Sequence, residues 1–158
     1  MHMMSKKGWE VHYASMGEEE ILDCDKSFVV PFTRSPFRLS NITAYRQLKK
    51  IINQENYDII HTHTPMGSVV TRLAAKKARK NGTKIIYTAH GFHFFKGAPL
   101  LNWLIYYPVE RLMARHTDTL ITINKEDYHR AKKQFKTNVI YMPGAVSYTH
   151  LTLPTKRI

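Results

Sequence analysis

The chain has a single cysteine, Cys24, among 158 residues. No intrachain disulfide framework can form, and the fold has to be held by a packed core, as in a reducing compartment. Glycine and proline number only 7 each, which excludes collagen-like repeats and long flexible linkers. Acidic residues are scarce, 12 against 24 Lys and Arg, and the formal charge of +12 gives a surface that attracts phosphates, nucleic acid or anionic lipid. The longest apolar run, APLLNWLIYYPV at 98–109, is too short and too interrupted to span a bilayer. The opening MHMMSKKGWEV lacks the apolar stretch of a secretory signal. No P-loop, G-x-G-x-x-G or G-x-S-x-G pattern occurs, so nucleotide-kinase and serine-hydrolase chemistry lose their usual supports.

What remains is ordinary globular material, 43% hydrophobic, with a regular alternation. Short strands are expected at WEVHYAS (9–15), FVVPF (28–32), YDII (57–60), TKIIYTA (83–89), DTLITI (118–123) and NVIYMPG (138–144). Between them, Ile42, Tyr45, Leu48, Ile51 and Ile52 fall on one helical face behind a Ser40 or Asn41 cap. A second helix, capped by Thr64 with Pro65 in its first turn, carries Val69, Val70, Leu73 and Ala74 as far as Asn81-Gly82. A third starts near Pro99 and should kink at Pro108, and a fourth, capped by Asn124, carries Tyr128, Ala131 and Phe135. Apolar strands separated by helices predict an α/β fold, Rossmann-like and doubly wound around a mainly parallel sheet.

In such a sheet ligands bind at the carboxyl ends of the strands. Three successive strands end in polar groups: His61, Thr62, His63 and Thr64; then Thr88, His90 and His93; then Thr122 and Asn124. They are expected on one edge. Gly91 and Gly97 would bring backbone close to a ligand, while Phe92, Phe94 and Phe95 read first as packing for the loop. His61 and His63 are taken to alternate across the pleat, one inward and one toward the cleft. Imidazole can move a proton, bind a metal or pair with phosphate. With no carboxylate or cysteine in either histidine segment, a metal would need a three-His set of His61, His63 and His90.

The segments YDIIHTHTPMGSVVTRLAAKKARKNGTKIIYTAHGFHFFKG, NWLIYYPVERLMARHTDTLITINKEDYHRAKK and VIYMPG together resemble the N-terminal, acceptor-side domain of a family 4 glycosyltransferase of the GT-B fold, of the capsule and exopolysaccharide type. The resemblance covers roughly residues 5–144 and rests on the HTHTP, AHGFHF and D-x-LITIN-x-xD blocks in combination. It implies retaining transfer of a sugar from a nucleotide-diphosphate donor, UDP-linked, to a lipid-linked or saccharide acceptor at the inner face of the cell membrane. It also implies no metal and no cofactor beyond the donor. By the same resemblance His90 lies beside the reacting sugar and stabilises charge at the anomeric carbon. His61, His63, Thr64, Gly91, Phe92, His93 and Asn124 are its expected substrate-binding neighbours. PLLNWLIYY and the basic cluster Lys76, Lys77, Arg79 and Lys80 would face lipid, making the protein cytoplasmic and peripheral to the membrane.

The sequence departs from that pattern at both ends. The family's first strand and glycine-bearing loop are expected ahead of Met1, and its donor-gripping second domain beyond Gly144. Residues 1–144 are therefore expected to form a partial N-terminal domain, inactive without the donor half. The final AVSYTHLTLPTKRI, at 145–158, reads as a non-native or disordered tail of adapter-derived sequence. Two rivals stand beside this assignment. One is a basic α/β module binding nucleic acid or anionic lipid without chemistry, ranked second because no aromatic-basic sheet face is present; no nucleic-acid partner is expected. The other is a metal-dependent hydrolase built on the three histidines.

Overall fold

A computed structural model describes residues 7–17, 24–33, 35 and 38–143; the expected tail at 145–158 lies outside the described residues. Strands and helices alternate along the chain, which divides into two compact units, Met1–Ile85 and Ile86–Ile158.

In the first unit, β1 (His12–Ser15) and β2 (Lys26–Val29) run parallel as a two-stranded sheet, with His12 opposite Lys26 and Ser15 opposite Val29. Helix α1 (Ser40–Glu55) follows, then β3 (Ile59–Thr62), α2 (Pro65–Ala74), α3 (Lys76–Lys80) and the first residues of β4 (Lys84–Ala89). The Lys84 amide donates to the Asp58 carbonyl at 2.8 Å, which aligns the start of β4 with the residue just before β3. The α1 face that packs is Ala44, Leu48, Ile51 and Ile52, with Tyr45 partly buried, while Ile42 is left exposed. Ile42 sits one position off the three-and-four spacing that the other residues keep. Val30, Val70, Ala74, Ala75 and Ile85 complete this core.

Neither expected hydroxyl or amide cap is used at the first two helices. Leu39 occupies the cap position of α1 without a side-chain bond. Asn41 is buried instead, and its amide ties down the preceding loop: the Thr33 amide donates to Oδ1 at 3.1 Å and Nδ2 donates to the Ser35 carbonyl at 2.8 Å. A buried amide has to satisfy both ends, and the loop offers both partners. Thr64 does hold the extended cap position of α2 with Pro65 behind it, but its carbonyl, not its hydroxyl, receives the Ser68 amide, at 2.7 Å. A Cβ on Gly67 would run into the Thr64 hydroxyl. The helix expected to continue to Asn81-Gly82 breaks at Ala75, where the backbone leaves helical geometry (φ −82°, ψ 0°), and resumes as the short α3.

In the second unit, α4 (Leu100–Ala114), β5 (Thr119–Thr122), α5 (Lys125–Gln134) and β6 (Asn138–Tyr141) follow β4. β4, β5 and β6 stand side by side and parallel, with Ala89 opposite Thr122 and Thr122 opposite Tyr141. Their apolar residues pack with Phe92, Phe94, Ala114, Ala131 and Phe135. Helix α4 continues through Pro108, which lies on its exposed side. The expected strands are all present, with ends shifted by up to three residues, and the α/β class with parallel pairing is as expected.

Leu48 is buried on the α1 face that meets the core. Leu48→Ala is expected to lower stability by about 2–4 kcal/mol, the range for a large-to-small change at a packed site. Urea unfolding followed by circular dichroism checks it.

Candidate active site

The two units divide the sequence-predicted residues: His61, His63 and Thr64 belong to the first, and His90, Gly91, Phe92, His93 and Asn124 to the second. In the first, His61 and His63 flank the buried Thr62 and both are exposed, with ring centroids 4.2 Å apart. The expectation that they point to opposite sides is corrected. Residues two apart on an extended chain share a face, and Thr62 takes the inward position. Thr62 donates its hydroxyl to Ser68 Oγ at 2.9 Å in the interior, and the buried Arg72 donates Nε to the Ser68 carbonyl at 3.2 Å. The paired imidazoles thus stand over a polar, bonded layer between β3 and α2.

In the second unit the carboxyl end of β4 passes through the exposed His90 and Gly91, whose φ of 149° favours glycine, into the loop Phe92–Gly97. Register puts the end of β5 on the same edge, so His90 and Asn124 both follow strands that finish level with each other. Thr88 and Thr122, also expected at this rim, are buried, and Thr122 spends its hydroxyl on the Ile140 carbonyl at 3.4 Å.

The loop has no regular backbone pairing, yet side chains hold its polar groups one by one. Asn124 caps α5 as expected, accepting the Asp127 amide at 2.8 Å. Asp127 is 2% exposed, and its Oδ2 accepts both the Phe92 amide at 2.9 Å and the Asn124 side-chain amide at 2.7 Å. One α5 turn further, Arg130 donates to the Phe94 carbonyl at 2.5 Å and to Glu126 at 2.8 Å, while stacking its guanidinium 4.7 Å from the Trp103 ring centroid. Glu126 also accepts the Lys96 amide at 2.7 Å. From α4, Asn102 donates to the His93 carbonyl at 3.0 Å and Tyr106 stacks on the His93 ring at 4.7 Å. Phe92 and Phe94 lie stacked at 4.7 Å in the core, whereas Phe95 is exposed. The phenylalanine ballast and the side chains of α5 therefore hold a turn whose exposed residues include His90, Gly91 and His93.

Asp127, Glu126 and Arg130 do not stand out from the sequence as site residues, although Asp127 ends the D-x-LITIN-x-xD block. One signal does point to Asp127: an acid three residues after a cap asparagine is at the spacing from which a side chain can reach back past the helix start.

Among the described residues, the one group with metal-ligating spacing is Glu10, His12 and Glu55, and none of the three expected histidines belongs to it. That group is already engaged. His12 lies 2.8 Å from Glu10 and 2.7 Å from the Tyr57 hydroxyl, and the Lys26 ammonium sits 2.7 Å from Glu55. Bonding to Lys26 holds the Glu55 carboxyl below its ordinary range. Burial first, and then the two carboxylates, push the Tyr57 hydroxyl up to about 12. The Lys26 ammonium already pairs with both carboxylates, 2.7 Å from Glu55 and 3.8 Å from Glu10.

Removing the Asp127 carboxylate leaves the buried Phe92 N–H without its acceptor. Asp127→Ala is expected to cost about 1–3 kcal/mol by urea unfolding. The Lys96 amide first, and then Arg130, hold the Glu126 carboxyl below its ordinary pKa of 4.5. A depressed carboxyl stabilises the fold above its unfolded pKa and loses that contribution as pH falls through its folded value. The urea midpoint of wild type should therefore exceed that of Glu126→Gln at neutral pH, and the gap should close as pH drops below the ordinary carboxylate range.

Comparison with known proteins places this geometry in a family. The family model for "Glycosyl transferase 4-like" matches residues 1–124. The chain is 58% identical over 125 residues, 79% of its length, to a Bacillus subtilis (strain 168) protein named "Putative glycosyltransferase EpsD", of which it covers 33%. It is 30% identical over 106 residues, 66% of its length, to the UDP-Gal:alpha-D-GlcNAc-diphosphoundecaprenol alpha-1,3-galactosyltransferase of Escherichia coli, of which it covers 27%. A 41.2 kDa uncharacterized protein in the cps region of Klebsiella pneumoniae is 27% identical over 100 residues, 61% of the chain and 28% of that protein. The matched segment thus spans about a third or less of each relative's length. With a parallel α/β architecture whose strand-end histidine turn lies inside the matched region, the chain belongs to the glycosyl transferase 4-like family.

Proposed function

We propose that the chain is the acceptor-side part of a retaining glycosyltransferase of GT-B type. It moves a hexose from a UDP-linked donor to a lipid-linked saccharide during surface-polysaccharide synthesis, at the cytoplasmic face of the cell membrane. The observation that carries the reading is the His90–Gly91 turn: an exposed imidazole at the carboxyl end of a parallel strand, on a loop fixed from beneath by Asp127. The lipid-linked, UDP-dependent character is supported by the name of the Escherichia coli relative.

In retaining transfer the bond from the anomeric carbon to the donor phosphate breaks while the acceptor oxygen forms its own bond on the same face and gives up its proton to the departing phosphate. Positive charge gathers on the sugar and negative charge on the departing phosphate. A group fixed against the sugar, able to hydrogen-bond it without attacking it, lowers that barrier only if it is already oriented. The imidazole of His90 fills this role; Gly91, Phe92 and His93 follow it along the same loop, and Asn124 follows β5 at the same sheet edge. His61, His63 and Thr64, which belong to the first unit, are proposed separately as saccharide contacts. The donor is the only nucleotide required, and neither metal nor nucleic acid takes part.

His90→Ala, made in a protein of the relatives' length that contains this chain, is expected to lower kcat on the order of a hundredfold with an unchanged circular dichroism spectrum. Transfer of labelled sugar from UDP-sugar to an undecaprenyl-diphosphate saccharide measures it. Near-normal turnover would reject the role. The 158-residue chain assayed by itself is expected to give no transfer, because closing the reactants off from water takes donor-binding groups as well.

A further inference from the structure

Three phenylalanines follow one another closely in the loop after β4, and packing accounts for only two of them. Burial alternates along the loop: Phe92 and Phe94 are 6% and 0% exposed, while Gly91, His93 and Phe95 lie outward, Phe95 at 47%. An exposed apolar side chain is ordinary when it stands on a mobile segment or a bland surface. Phe95 stands on neither. Arg130 holds the carbonyl of Phe94 and Glu126 holds the amide of Lys96, one residue to either side. The Phe95 carbonyl itself accepts the Ala98 amide at 3.0 Å, closing a turn in which Gly97 takes a φ of 95° that favours glycine. Three hydrogen bonds thus fix the backbone from which an apolar ring projects into solvent, on the loop that begins at His90.

Its neighbours narrow what such a ring would meet. Two positions back, the exposed His93 has its ring stacked on Tyr106 at 4.7 Å and its carbonyl held by Asn102 at 3.0 Å, so a second ring is fixed beside the first. Imidazole nitrogens donate or accept hydrogen bonds; a phenyl ring does neither. A pyranose uses both kinds of surface, since its C–H face lies against an aromatic ring and its rim of hydroxyls needs polar partners. An acyl chain would gain nothing from the imidazole, nor from the exposed Lys96 next to Phe95. The proposed function leaves the donor nucleotide to groups outside this chain, and the acceptor saccharide is the ligand that remains.

We propose that Phe95 is the stacking platform for the acceptor saccharide, with His93 as its polar edge, and that this pair sets which acceptor is taken. The proposal rests on the transferase reading and adds to it a residue that reading does not use. A ring already in place costs little ordering when the sugar arrives, and the contact is the same before and during transfer. Its contribution therefore belongs in the acceptor KM and not in kcat.

The test uses a protein of the relatives' length that contains this chain, with a disaccharide diphosphate on a short alkyl chain as a water-soluble acceptor. Phe95→Ala is expected to raise the acceptor KM on the order of tenfold. The KM for UDP-sugar and kcat should stay within about twofold, and the urea midpoint should hold, because removing an exposed ring opens no cavity. Phe95→Trp should restore the acceptor KM. Calorimetric titration of the same acceptor without donor should show the matching loss in Kd.

An unchanged acceptor KM in Phe95→Ala overturns the proposal. So does a rise confined to the UDP-sugar KM, which would give the ring to the nucleotide. Lost binding to phosphatidylglycerol vesicles with the acceptor KM intact would give it to lipid, and absence of any saccharide binding by wild type also overturns it. Weaker saccharide binding by Phe95→Ala in a protein that transfers no sugar would keep the platform and reject the transferase reading, so the two failures are separate.

Discussion

The arrangement of the second unit depends on one buried carboxylate. Asp127 accepts the backbone amide of Phe92 and the side-chain amide of Asn124, and in doing so joins the end of β4 to the start of α5. Without that acceptor the first amide after Gly91 would be unheld, and Gly91 permits many conformations. A carboxylate suits this position because it accepts two hydrogen bonds at one oxygen, and does so in the interior, where an unmet N–H is expensive. Glu126 and Arg130 extend the same logic to Lys96 and Phe94, so a segment without secondary structure is held almost as tightly as a strand.

Such rigidity matters for the proposed chemistry. A histidine that stabilises charge at a reacting carbon is effective only if it is already in place, since reorienting it during the reaction would consume what it contributes. The aromatic cluster beneath the loop, with Phe94 against Trp103, Tyr107 and Phe135, supplies a second constraint, independent of hydrogen bonding. Packing and polar contacts therefore fix the same turn from two directions.

Much of this is legible in the sequence because period and punctuation agree. Continuous apolar strands, the Asn124 cap, Pro65 at the head of α2 and the two buried phenylalanines all follow from local rules. The expectation for the paired histidines fails because it misapplies the strand period, since residues 61 and 63 share a face. Asn41, expected as a cap, serves a loop instead, because its partners at Thr33 and Ser35 come from a segment that no local rule connects to it. Asp127 is hidden for the same reason, as its decisive partner is remote in sequence. Helix α4 resists in another way: a run apolar on both sides does not disclose which side meets the core, and only packing against Phe94 and Phe135 settles it.

The distance between Asp127 and Phe92 along the chain, 35 residues, also sets a sequence of events during synthesis. At roughly 5–20 residues per second, the ribosome delivers the carboxylate on the order of a few seconds after the backbone it must hold. Throughout that interval the nascent β4 carries an unfinished turn and two unpacked phenylalanines. The histidine rim is therefore among the last features of this unit to be set, and its maturation waits on a helix that contributes none of the rim's imidazoles.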